Sequence, residues 1–112
     1  MGKNLSKVKE EKVEIQLDRV RYIKFGFGAF SILEEKFGSL EAALTALTDG
    51  KMSTVRLLLW AGLQDDLADD EVLTEKQLEK MLSLRDLPMI MECLQKAIMS
   101  AMPEEETKGK NV

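Results

Sequence analysis

The sequence contains no histidine and a single cysteine, and each scarcity removes a class of function. Without histidine the usual general base and the commonest metal ligand are both missing. One thiol, Cys93, cannot form an intramolecular disulfide and fits a reducing compartment. No apolar run approaches the ~20 residues that span a bilayer. The first residues lack the apolar core of a signal peptide. A cytoplasmic protein with no membrane partner is the expectation. A basic arm is also missing: Lys3, Lys7, Lys9 and Lys12 are interleaved with Glu10 and Glu11, and the net charge is −4. Phosphate binding needs a clustered Lys/Arg surface, so nucleic acid is not an expected partner.

What is present is a change of hydrophobic period. Val13, Ile15 and Leu17 alternate with Glu14, Gln16 and Asp18, the pattern of a half-buried strand. Asp18-Arg19 reads as a turn, and Val20 to Phe25 as a second strand rich in β-branched and aromatic residues. Gly26 and Gly28 break that strand. From Ala29 the apolar residues fall at helical spacing through Phe30, Leu33 and Phe37, and Gly38 makes a C-terminal stop.

Four further helices are expected. Ser39 can cap a short one whose inner face is Leu40, Ala43, Leu44 and Leu47, ended by Asp49-Gly50. Ser53 is the expected cap of a helix over Thr54 to Gln64. Val55, Leu58, Leu59 and Leu63 occupy one side of it, and Leu57 and Trp60 nearly the opposite side. A helix apolar on two faces is central to its fold or covered by a partner. The acidic stretch Asp65 to Glu71 reads as a loop. Thr74 with Gln77 then forms a capping box, and Leu73 with Leu78 the accompanying hydrophobic staple; Leu78, Met81 and Leu82 face inward. Asp86-Leu87-Pro88 opens the last helix, whose broad apolar arc runs through Leu87, Ile90, Met91, Leu94, Ala97, Ile98, Ala101 and Met102. Together these predict a mainly α (α+β) chain: an N-terminal β-hairpin followed by about five short helices in a compact bundle. The expected organisation is a disordered N-terminal tail over 1–11, one folded domain over 12–102 and a disordered C-terminal tail over 103–112.

No residue set reads as catalytic, metal-binding or cofactor-binding, so an enzyme is not expected. Cys93 has no histidine to activate it and reads as a small hydrophobe. Gly26 and Gly28 resemble the start of a nucleotide loop, but the third glycine of that fingerprint falls at Ser31 and no parallel βαβ unit surrounds it. The acidic loop fails as a calcium hand: from Asp65, Asp66 or Asp69 the twelfth position is Lys76, Gln77 or Lys80, and no glycine stands sixth. Five of the seven methionines (Met81, Met89, Met91, Met99 and Met102) lie in the last third. Met89 and Met99 fall off the apolar arc, where flexible thioethers suit contact with a varied apolar partner. Leu57, Trp60, Met89 and Met99 are therefore the candidate protein-interaction residues. For Leu57 and Trp60 the contact is a second subunit, a client or the last helix.

The residues Arg21-Tyr22-Ile23-Lys24-Phe25-Gly26, followed by Gly28-Ala29-Phe30-Ser31-Ile32-Leu33-Glu34-Glu35-Lys36-Phe37-Gly38-Ser39-Leu40, resemble the tail assembly chaperones of long-tailed (siphovirus-type) bacteriophages and prophages. So do Leu57-Leu58-Leu59-Trp60-Ala61-Gly62-Leu63 and the restart at Leu73-Thr74-Glu75. The likeness covers about Val13 to Leu84 and consists of apolar positions and glycines. It implies a non-structural morphogenetic protein in the cytoplasm of a host bacterium. Such a protein binds the tape-measure protein, keeps it soluble, helps recruit tail-tube protein and self-associates; a longer frameshifted form is common in the family. The competing reading is a small helical regulatory or DNA-binding module of antitoxin or transcription-factor type. That reading needs a basic recognition helix, whereas Thr54 to Gln64 offers only Arg56 and Glu75 to Leu84 is mixed in sign.

Overall fold

The computed structural model describes residues 12–101; the tails expected over 1–11 and 103–112, and Met102 of the apolar arc, lie outside the described residues. The architecture is an antiparallel hairpin followed by five α-helices, the fold class that the sequence predicts. Strand β1 (Val13–Gln16) pairs with β2 (Val20–Ile23) in the register Val13 opposite Ile23 and Gln16 opposite Val20. That register leaves Leu17, Asp18 and Arg19 in the connection, one residue more than the expected Asp18-Arg19 turn. The Leu17 N–H donates to the Arg19 carbonyl at 2.9 Å and closes it.

Strand β2 stops pairing at Ile23, two residues before the expected end, because the chain changes partner. The Lys24 N–H donates at 2.8 Å to the carbonyl of Gly62 on a helix, and Phe25 then enters the core. Helix α1 (Phe27–Phe37) begins two residues earlier than Ala29. Gly26 takes the extended N-cap conformation, the Phe30 N–H bonds its carbonyl at 3.0 Å, and Gly28 is drawn into the first turn. The other end is as expected: Gly38 sits at φ 94 in the left-handed region and donates back to Glu34, where a side chain would be strained.

Helix α2 (Leu40–Thr48) is capped by the Ser39 hydroxyl, which accepts from the Ala42 N–H at 3.1 Å. Helix α3 (Met52–Leu63) has Lys51 as its N-cap, so Ser53 lies inside the first turn and caps nothing. The cause is Gly50, whose φ of 70 reverses the chain early enough for the helix to begin at Met52. Helix α3 tightens into a 3₁₀ turn over Gln64–Asp66, so the first part of the expected loop is helical. Helix α4 (Glu75–Met81) carries the full capping box: the Gln77 N–H donates to Thr74 Oγ1 at 3.0 Å, and the Thr74 N–H to Gln77 Oε1 at 2.8 Å. Leu82, expected on its inner face, is the extended C-cap and is half-buried. A 3₁₀ turn over Leu84–Asp86 leads into α5 (Leu87–Ala101).

Helix α3 is the axis of the molecule. It packs against α1, α2, α4, α5 and β2, and Leu58, Leu59, Ala61 and Leu63 are fully buried. Its two apolar sides are thus taken up by the fold from several directions. The α5 stripe Ile90, Leu94, Ala97 and Ile98 closes the core from one side, and Ile15 and Ile23 of the hairpin join it. Among the described residues no helix is long and apolar enough to cross a membrane.

Candidate interaction surface

The four candidate residues are not brought together. Trp60 is half-buried against the core, and its indole N–H donates to the Leu73 carbonyl at 2.7 Å, so the loop before α4 covers it. Leu57, also half-buried, lines a shallow polar hollow with Lys36, Phe37, Arg56 and Glu75. Met89 is half-buried and packs on the core, its Sδ 3.9 Å from the Cys93 thiol. Met99 is 72% exposed and stands free on α5.

The remaining polar candidates are occupied by structure. The Cys93 thiol points at the Glu14 carbonyl at 3.8 Å, and burial pushes it above its ordinary range, away from nucleophilic character. The acidic loop is tied to the hairpin: Glu71 pairs with Arg19 at 2.9 Å and accepts from the Ala68 N–H at 3.0 Å. The backbone hydrogen bond from Ala68, then Arg19, hold the Glu71 carboxyl below the usual carboxylate range. Arg21, which the alternation places on the inner face of β2, is buried and grips Asp18 through two hydrogen bonds of 2.7 and 2.9 Å. That contact holds Asp18 low and Arg21 high, so the pair remains ionised. Among the described residues no group of three or more His, Cys, Asp or Glu side chains is placed to hold a metal ion.

The surface that does stand open surrounds Met99. Helices α2 and α5 make no backbone contact with each other among the described residues. Between them lies a groove of about 830 Å³, walled by Leu44 and Leu47 of α2 and by Ile98 and Met99 of α5, with Val13 of β1 at its base. Its polar fringe is Thr48, Gln95, Ser100 and the loosely paired Glu92 and Lys96, 3.9 Å apart. The off-arc position of Met99 is the one sequence signal that points here. Val13, Leu44, Leu47 and Ile98 carry the same periodicity as core residues, and periodicity alone does not mark them as a surface.

Comparison of the chain with protein-family models, with curated proteins and with solved structures finds no match.

Proposed function

We propose that this chain is a tail assembly chaperone of a long-tailed phage or prophage, which holds the tape-measure protein in soluble form and helps gather tail-tube subunits on it. The observation that carries the reading is the open apolar groove between α2 and α5. A helix is about 10 Å across and rises 1.5 Å per residue, so a space of about 830 Å³ corresponds to roughly two helical turns. An amphipathic client helix laid there would bury its apolar face against Leu44, Leu47, Ile98 and Met99. Methionine suits such a role because its unbranched thioether adapts to successive apolar partners along a repetitive client. The net charge of −4 supports the same role by keeping the loaded chain in solution. The resemblance across Val13 to Leu84 is the reason for proposing this family, and the groove is the proposed means of holding a client.

Co-expression with a tape-measure protein tests the reading. The wild-type chain should hold the client in the supernatant, and Met99→Asp, which puts a charge in the groove at an already exposed position, should leave it in the pellet. Equal protection by both would overturn the groove assignment. A shift of random-sequence DNA at low salt would instead favour the regulatory, DNA-binding reading.

A further inference from the structure

The groove between α2 and α5 lies where the chain enters the fold. Val13, the first residue of β1, forms its base, so residues 1–11 lead directly to it. The last turns of both helices also line it: Leu47 and Thr48 end α2, and Ile98, Met99 and Ser100 stand near the end of α5. A helix C-terminus carries a partial negative charge, which a lysine or arginine in the last turn ordinarily offsets. Neither last turn holds a basic residue, and Asp49 adds an acid as the C-cap of α2. Along their whole lengths α2 carries Glu41 and no base, and α5 carries Glu92 and Lys96. The groove is therefore apolar with a negative bias, and it suits an apolar segment that bears positive charge.

We propose that residues 1–11 of this chain occupy the groove when no client is bound, so that the protein screens its own open face. Those residues have the required chemistry. Residues 1–9 carry Lys3, Lys7 and Lys9 and no acid, and Leu5 and Val8 supply apolar side chains between the lysines. With a net charge of −4 overall, those three lysines leave −7 on the rest of the chain, so attraction favours the contact. Reach is sufficient. An extended chain spans about 3.3 Å per residue, which puts Val8 within roughly 17 Å of Val13 and Leu5 within roughly 26 Å. Two helical turns of groove measure about 11 Å. The opposite end of the chain has the wrong chemistry: Glu104, Glu105 and Glu106 are acids that both helix ends repel. A segment attached beside its site acts at an effective concentration on the order of millimolar, so two small anchors are enough to compete. A client with a longer apolar face displaces it. The inference rests on the chaperone reading only for what that client is, because occupancy by residues 1–11 is measured without one.

Photo-crosslinking of the full chain, from benzoylphenylalanine placed at the exposed position Met99, is the test. Links should map to residues 3–9 of the same chain, in a yield that does not change on dilution. Leu5→Asp with Val8→Asp should cut those links about fivefold or more, since each buried aliphatic side chain is worth over a kilocalorie. Lys3→Glu with Lys7→Glu and Lys9→Glu should cut them as well. In both variants the amides of 44–48 and 95–100 should exchange faster, and a tape-measure segment should bind about two- to tenfold more tightly. Links that fall on 103–112 would overturn the proposal, as would links to a second copy that vanish on dilution. So would links and exchange rates unchanged by both sets of substitutions. If the links behave as stated and no client binds, the chaperone reading fails and the self-occupied groove stands.

Discussion

The crossing of β2 over α3 and the gap between α2 and α5 are built from the same kinds of residue and used in opposite ways. At the crossing, backbone meets backbone: a Cβ at Gly62 would lie 2.6 Å from Ile23 Cγ2 and 3.1 Å from Phe25 Cζ. The Lys24 N–H reaches the Gly62 carbonyl there, so the hairpin is bonded directly to the central helix. At the gap the two helices stay apart, and Ile98 is buried while its neighbour Met99 is 72% exposed. Close packing gives the crossing its stability, since interiors lose contact energy with every unfilled ångström. The gap leaves apolar area uncovered, which a chain tuned for stability alone would have closed. The molecule thus divides into a close-packed scaffold around the crossing and an open apolar face at the gap, which the proposed function takes as its working surface.

Substitutions should fall along that division. The largest effect is expected from Leu58→Ala, a fully buried residue of α3, at about 2–5 kcal/mol of lost stability in denaturant melts. A loss within ~0.5 kcal/mol would mean that α3 is not the axis of the core. Gly62→Ala comes next. Its methyl has to displace Ile23 and the Phe25 ring, an overpacking cost of about 1–3 kcal/mol, although alanine is the better helix former. Trp60→Phe keeps most of the packing and removes the indole N–H from the Leu73 carbonyl, so about 1 kcal/mol should be lost, together with anchoring of the loop.

Acid should weaken the hairpin and the loop tied to it. The folded-state carboxyls of Asp18 and Glu71 lie below their ordinary range, Asp18 chiefly through its hydrogen bonds to Arg21 and Glu71 chiefly through the Ala68 N–H. Their contribution is therefore complete above the ordinary carboxylate pKa and is lost as pH falls through the lowered folded values. Thermal melts should drop over that acid window, and Asp18→Asn should be less stable near neutrality and show a shallower acid drop. At the small end, Met99→Ser should change stability by no more than ~0.5 kcal/mol, as exposed positions do. A larger loss would assign Met99 to the scaffold.

Features whose chemistry is local were legible in the sequence. The Thr74–Gln77 capping box, the Ser39 cap and the Gly38 stop depend on residues within three or four positions, and all stand as read. The alternation around Ile15 and the stripe through Ile90, Leu94 and Ile98 were equally visible, because burial imposes the period directly. The start of α3 was not, since the left-handed turn at Gly50 decides it and overrides the cap preference of Ser53. Nor was the end of β2, which is set by a hydrogen bond to Gly62, 38 residues downstream of Lys24 by number. The buried Arg21 was hidden for a related reason: an arginine at an inward strand position is tolerated only because the turn delivers Asp18 to it. Of the candidate interaction residues, Met99 marks the groove from sequence, while the cover over Trp60 comes from a carbonyl that carries no sequence signal.

Amide hydrogen exchange of the chain, alone and with a soluble tape-measure segment, tests the division between scaffold and working surface most directly. Added protection should fall on the second half of α2, around Leu44 to Thr48, and on α5 from Gln95 to Ser100, while β2 and α3 exchange as slowly with the client as without it. Client-induced protection confined to β2 and α3, with the groove helices unchanged, would contradict it.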